Sequence, residues 1–262
     1  LDCDFDPNDS TSGYQQSVNT EARTLDFGPG ALIDGYEEFG NILGSASDDV
    51  LYGTGGANTL SGNGGSDELY GRDGNDRLVI SSSTVMVDGG EGTDLLFVNK
   101  GSAVALTDAS FTGLASIERV YVRDGAALSM TGVDIGAKIY SQSLAVGGST
   151  ITGTDGADRI VAGKGSDYIT GGKGGDSLFG GAGADTFEFV SGDGRDVIRK
   201  FDVTEDVLHI GVITGSMDDV KIGSFHGEAN TIITFTGDTG ASNKIILLGV
   251  TADSVTEGSF IF

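Results

Sequence analysis

The amino-acid sequence predicts an all-β protein, a parallel solenoid coiled from short strands, on three observations. A nine-residue unit recurs in two separate stretches of the chain. It opens on glycine and carries aspartate at its sixth place. Its eighth place is a large apolar residue.

Counted from Gly44, the units of the first stretch read GSASDDVLY, GTGGANTLS, GNGGSDELY and GRDGNDRLV. A degenerate unit, ISSSTVMVD, follows from Ile80 without loss of phase, and GGEGTDLLF resumes at Gly89. The second stretch opens at Gly153 with GTDGADRIV and continues as AGKGSDYIT, GGKGGDSLF and GGAGADTFE. Among these nine well-formed units, Ala162 is the one departure from glycine at the first place. Asn58 is the one departure from aspartate at the sixth. The eighth place holds Leu51, Leu60, Leu69, Leu78, Leu96, Ile160, Ile169, Leu178 and Phe187.

Each column has a physical reason. Glycine permits the positive φ angles and close backbone approach of a tight turn. The last three residues of a unit form a short strand whose single apolar side chain points inward. Two units complete one coil of two strands and two turns, so turns two units apart stack at roughly the 4.8 Å strand spacing. An aspartate then lies above another aspartate along both edges. Two unit charges about 5 Å apart repel by about 1 kcal/mol in water and by ~3–4 kcal/mol at an effective dielectric of 20. A hard divalent cation between the turns reverses that sign, with carboxylates and turn carbonyls filling a shell of six to eight oxygens.

Composition agrees with a cation binder. The 262 residues include 39 acidic and 15 basic side chains, a formal net charge of −24. That balance argues against nucleic acid and anionic membranes as partners. The 45 glycines lack a G-X-Y period, which excludes collagen, and 38% hydrophobic residues are too many for a disordered acidic chain. Cys3 is the single cysteine, so neither an internal disulfide nor a thiolate zinc site is available. No apolar run approaches the ~20 residues that cross a bilayer, and no membrane insertion is expected. No N-terminal secretion signal is visible.

The repeat resembles the RTX, or haemolysin-type, calcium-binding repeat GGxGxDxUx. The resemblance implies a right-handed parallel β-roll or β-helix solenoid with two calcium-binding blocks and a C-terminal β cap. It also implies a ligand set, in which an earlier turn gives carbonyls from places two and four and its aspartate. The turn one coil later gives carbonyls from places one and three and its own aspartate. One site would then join Ser45, Ser47 and Asp49 to Gly62, Gly64 and Asp67. A second, weakened by the neutral Asn58, joins Thr54, Gly56 and Asn58 to Gly71, Asp73 and Asp76. A third joins Arg72, Gly74 and Asp76 to Gly89, Glu91 and Asp94. In the second block, Thr154, Gly156 and Asp158 face Gly171, Lys173 and Asp176, while Gly163, Gly165 and Asp167 face Gly180, Ala182 and Asp185. A sixth site joins Gly172, Gly174 and Asp176 to the run after Phe189, with Asp193 or Asp196 supplying the second carboxylate. Val85 takes the sixth place of the unit from Ile80, so the Gly62 turn is expected to lack a partner on that side. About five or six calcium ions are expected.

The expected division of the chain is an N-terminal lead-in or cap over 1–43, RTX block 1 over 44–97 and a β-helical spacer over 98–152. RTX block 2 follows over 153–202, then a C-terminal cap with a type I secretion signal over 203–262. The spacer's length approximates three eighteen-residue coils, and DASFTGLASIERVYV, Asp108 to Val122, is similar to spacers between RTX blocks. The stretch from Thr186 to Ile210 resembles the exit of serralysin-type rolls. The final GVTADSVTEGSFIF resembles an uncleaved type I signal; an ordinary last strand is the alternative. Asp2, Asp4 and Asp6 stand at EF-hand-like spacing, but Pro7 and Gly13 stand where that loop needs glycine and glutamate.

No catalytic motif emerges. His209 and His226 are the only histidines and neither begins HExxH, and no serine sits in GxSxG. The expected protein is therefore no enzyme. It is a secreted calcium binder whose folding is coupled to extracellular calcium, with a structural or interaction role in an S-layer, matrix or adhesin. The alternative is the C-terminal folding and secretion module of a larger enzyme or toxin. Expected partners are calcium, the type I secretion machinery through the C-terminus, further copies of the chain or a cell-surface polysaccharide.

Overall fold

The computed structural model describes residues 17–19, 24–26, 32–34, 40–81, 86–111, 116–210, 216–227, 229–236 and 243–262, with side chains from Gly40 onward. Cys3 and the aspartates Asp2, Asp4 and Asp6 lie outside the described residues, as does Val85.

The last three residues of a unit do form its strand. Val50–Tyr52, Thr59–Ser61 and Glu68–Tyr70 are successive examples, each with its middle leucine buried between two partly exposed neighbours. Alternate units feed opposite faces of a solenoid. The front is a fourteen-stranded sheet whose parallel run climbs from Thr24–Asp26 through Thr59–Ser61, Arg77–Ile80 and Leu95–Val98 to Arg195–Arg199. The back is made of two sheets, one of four strands from Leu32–Asp34 to Met86–Asp88 and one of seven from Ala103–Ala105 to Phe260–Ile261.

Register within the blocks keeps the two-unit period. Leu51 pairs with Leu69, Leu60 with Leu78, Ile160 with Leu178 and Ile169 with Phe187. All nine eighth-place residues are fully buried, at 0% exposure. Each such side chain stabilises the fold by about 1.5–3 kcal/mol, with one inward residue per strand.

The spacer differs from the expected three equal coils. Arg119 pairs with Leu95, twenty-four residues on; Ile139 pairs with Val120 after nineteen, and Arg159 with Lys138 after twenty-one. The longer coils have more apolar volume to enclose. Leu106, Met130 and Val133 enter the core from turns between strands, and Phe111 enters it opposite Val87. The back of the roll divides here, because Phe111 bridges to Val87 while Ala103–Ala105 starts a new sheet.

Both ends depart from parallel pairing. Ser17–Asn19 runs antiparallel to Thr24–Asp26 at the start. At the other end Lys244–Leu248 adds in parallel to Arg195–Arg199, and Asn230–Phe235 and Val220–Ser224 extend the front sheet as antiparallel strands. The last residues, expected to resemble a secretion signal, include Phe260–Ile261, which pairs with Val207–His209 as the final back strand. These additions satisfy backbone groups that the end of a solenoid would otherwise leave open.

Candidate metal centre

The sixth-place residues stack into two ladders, one along each edge of the roll. Along the edge that leads into the front strands, the backbone N–H of Asn58 donates to Asp76 Oδ1 at 2.7 Å. Asp76 N–H donates to Asp94 Oδ1, also at 2.7 Å. The same edge continues in the second block, where Asp158 N–H reaches Asp176 Oδ1 at 2.8 Å and Asp176 N–H reaches Asp196 Oδ1 at 2.9 Å. On the opposite edge Asp49 N–H donates to Asp67 Oδ1 at 3.1 Å and Asp167 N–H to Asp185 Oδ1 at 2.9 Å.

One carboxylate oxygen per residue is thus used, and the other decides the chemistry. Where a ladder begins, protein donors satisfy it. Ser45 N–H and Thr154 N–H each donate to Oδ2 of their own turn's aspartate, Asp49 and Asp158, at 2.6 Å, and Ser143 Oγ–H donates to Asp167 Oδ2 at 2.8 Å. Further along, Asp76, Asp94, Asp176 and Asp185 are at most 2% exposed, and the Oδ2 atom of each is buried with no hydrogen-bond partner. A buried carboxylate oxygen without a partner is costly. Four such oxygens repeated at one place of a repeat define a cation site rather than four separate defects.

The carbonyls predicted to complete the sites are brought to the same turns. Ser45 C=O accepts from Gly64 N–H at 3.3 Å, Arg72 C=O from Glu91 N–H at 2.9 Å and Gly163 C=O from Ala182 N–H at 3.1 Å. Asp73–Gly74 pairs in parallel with Glu91–Gly92. Gly174 has a φ of 121°, and a Cβ there would meet the Gly156 carbonyl oxygen at 2.6 Å, so only glycine keeps that oxygen accessible from the next turn. Gly62, Gly71, Gly171 and Gly180 each sit where a Cβ would strike the aspartate of their own turn, Asp67, Asp76, Asp176 and Asp185. Ser47 N–H donates to Ser45 Oγ and Gly56 N–H to Thr54 Oγ1, which hold the first turns of each ladder closed. Gly89 N–H is held by Ser116 Oγ at 2.9 Å. Gly165 N–H donates to Ser143 Oγ at 3.3 Å, and Arg195 N–H to Gly174 C=O at 3.3 Å. Gly172 lies against the Thr154 carbonyl, and Lys173 turns its ammonium outward to Asp155.

No three His, Cys, Asp or Glu side chains converge on one point among the described residues. What the stacked turns offer is pairs of carboxylates beside backbone oxygens, hard donors of the kind calcium takes. Of the two carboxylates offered for the sixth site, Asp196 is the one stacked on Asp176, while Asp193 accepts from Val190 N–H at 2.7 Å.

Sequence reasoning missed two members of the ladders. Asp206 accepts from Asp185 N–H at 3.0 Å, and its Oδ2 accepts from Asp202 N–H at 2.8 Å, the same turn as at Asp49. Its unit, FDVTEDVLH, keeps the sixth-place aspartate and a buried eighth-place Leu208 but no glycine. Glu118 accepts from Asp94 N–H and so continues the front-edge ladder into the spacer. In both, an acid two places before a buried aliphatic was the legible signal. Ala137 and Ser149 take the corresponding place in the next spacer coils and donate to Asp158 and Asp167, so the acidic ladders stop there.

Burial pushes these carboxyls up. Asp76 and Asp185 reach about 7, Asp196 about 7 and Asp176 about 8, with neighbouring carboxylates adding to the effect of desolvation. A carboxyl whose folded value lies above its unfolded 3.8 binds more protons when folded, so its contribution is complete below pH ~4 and is lost as pH rises towards 8. Metal-stripped protein, disordered at pH 8, should therefore gain β structure on acidification to pH 5. Far-UV circular dichroism without calcium across that range checks this; a flat or opposite trend would refute it.

A parallel solenoid with stacked acidic turns defines a calcium-binding β-roll. Residues 43–78 and 152–187 match the RTX calcium-binding nonapeptide repeat (4 copies), so the chain carries RTX repeats over these two stretches. No curated protein sequence matches the chain. Among solved structures it is similar to the AlgE6R2 subunit of the Azotobacter vinelandii mannuronan C5-epimerase, at 24% identity and a TM-score of 0.34, over 51% of this chain and 92% of that one. The AlgE6R3 subunit of the same epimerase is 18% identical with a TM-score of 0.24, over 84% and 80%. The extracellular lipase LipA of Serratia marcescens is 16% identical with a TM-score of 0.39, over 91% of this chain and 42% of the lipase. No described helix is long and apolar enough to cross a membrane.

Proposed function

We propose that the chain is a secreted protein whose folding is driven by extracellular calcium and whose roll serves as a structural or interaction element at the cell surface. The four buried, unpartnered carboxylate oxygens carry this reading. Calcium, when bound, supplies positive charge and open coordination positions between successive turns. The chain supplies everything else. Asp49 with Asp67, Asn58 with Asp76, Asp76 with Asp94, Asp158 with Asp176, Asp167 with Asp185 and Asp176 with Asp196 provide the side-chain oxygens. The turn glycines hold the carbonyls close. Asp94 with Glu118 and Asp185 with Asp206 extend both ladders beyond the six expected pairings.

Sites of the extracellular type, with dissociation constants of about 10⁻⁴–10⁻³ M, stay empty at cytosolic calcium and fill outside the cell. The chain would be exported unfolded, through a type I signal near its C-terminus, and would fold on arrival. Negative-stain micrographs of calcium-loaded protein test the structural role. Lattices or filaments are expected. Dispersed monomers at high concentration would sink that role and favour a folding module attached to a larger effector.

A further inference from the structure

The two faces of the roll differ in charge. Outward side chains of the front strands from Arg77–Ile80 to Arg195–Arg199 include Arg77, Arg119, Arg123, Lys138, Arg159 and Arg199, and no aspartate or glutamate. The back strands from Val50–Tyr52 to Val207–His209 turn Glu68, Asp88 and Glu188 outward and carry neither arginine nor lysine. With 39 acids against 15 bases in the chain, an acid-free cationic face is not what indiscriminate placement yields.

Arg123 donates through Nη1–H to Asn99 Oδ1 at 3.1 Å, but none of these cations is neutralised by a described carboxylate. The ion pairs among the described residues are Lys100 with Asp124, Lys173 with Asp155 and His209 with Glu188, and none involves the front face. Four of the guanidinium groups, those of Arg77, Arg123, Arg159 and Arg199, are instead laid on rings. Arg77 lies 4.2 Å from the Phe97 ring centre and Arg159 4.4 Å from that of Phe179. Stacking of this kind holds a guanidinium in place while its N–H edge stays available.

We infer that the front face docks a linear carboxylated polysaccharide. Arg119, Lys138 and Arg159 fall in one column on successive coils, about 4.8 Å apart, a spacing suited to a polymer with one charge per sugar ring. Guanidinium groups match carboxylates with paired hydrogen bonds. Single-stranded nucleic acid needs aromatic faces on which its bases can stack. Here Phe97, Tyr121 and Tyr140 stack on one another at 4.9 and 5.5 Å, and Arg77 lies over Phe97, so little ring face is left for bases. A second copy would offer a back face with too few outward acids. The net charge of −24 opposes any polyanion at long range, but salt screens it beyond about 8–10 Å while direct contacts persist.

This inference rests on the calcium-folded surface role, and a single experiment separates the two. Calcium-loaded protein, its fold checked by circular dichroism, is titrated with a short oligogalacturonate, a neutral maltooligosaccharide and an oligothymidylate. Oligogalacturonate binding that weakens with salt is expected, with none for the neutral sugar. Combining Arg119→Glu, Lys138→Glu and Arg159→Glu should weaken it roughly tenfold or more at unchanged calcium stoichiometry. Should that variant misfold, Lys138→Gln with Arg159→Gln replaces it, with a smaller loss expected. A folded roll that ignores oligogalacturonate, or binds it equally in the folded variants, overturns the docking site alone. Tighter binding of oligothymidylate, or sedimentation showing a dimer that the substitutions dissolve, overturns it in favour of nucleic acid or a second copy. Absence of calcium-induced structure overturns the underlying reading instead.

Discussion

Withdrawing calcium at neutral pH should abolish the β-sheet signal of the whole roll. The two ladders place like charges one coil apart, and each adjacent ionised pair repels by about 1 kcal/mol in water and ~3–4 kcal/mol at an effective dielectric of 20. Several such pairs together rival the ~5–15 kcal/mol that stabilises an ordinary domain. Asp76, Asp94, Asp176 and Asp185 add the cost of a buried oxygen with no partner. Far-UV circular dichroism in chelator should show a largely disordered chain, and millimolar calcium should restore the β spectrum in a cooperative step. A chain already rich in β structure in chelator at pH 7.5 would defeat the switch while leaving the fold intact.

The largest effect of a single substitution is expected at the interior of a ladder. Asp76 accepts from Asn58 N–H and donates its own N–H to Asp94. It therefore belongs to the turn below and the turn above. Asp176 stands in the same relation to Asp158 and Asp196. Asp76→Ala or Asp176→Ala should remove two calcium ions, whereas Asp49→Ala at a ladder's start should remove one. The midpoint of calcium-induced folding should rise about tenfold or more for the interior variants, about 1.4 kcal/mol per tenfold. Equilibrium dialysis with a calcium isotope counts the ions directly. An unchanged count in either interior variant would show that the pairing is wrong.

Much of this was legible because the repeat has a constant period. When every turn meets the turn two units later, one offset predicts all contacts. The burial of Leu51 to Phe187 at the eighth place and the stacking of Asp49 on Asp67 both follow from counting in nines. Glycine at the first place and aspartate at the sixth identify the turn and its charge without reference to anything distant. The same counting failed wherever the period did. Asp206 lies in a unit without glycine, and Glu118 lies twenty-four residues beyond Asp94, so neither falls at the offset that the repeat teaches.

What the sequence determined by itself was the local unit: a tight turn, a short strand, one inward side chain and one acid per turn. Those are set by backbone sterics and charge within nine residues. Tertiary structure decided the rest. It alone set the coil lengths of the spacer, because Leu106, Phe111, Met130 and Val133 need a wider circumference than the glycine turns enclose. It chose Asp196 over Asp193, because Asp196 stands immediately before Val197, which registers with Ser177 just as Asp176 stands before Ser177. It also gathered arginines from distant units onto one acid-free face, since alternate strands of a coil point their outer side chains in opposite directions. The parallel calcium-binding solenoid was written in the repeat, and where its ladders stop and what its two faces present depended on how the coils were stacked.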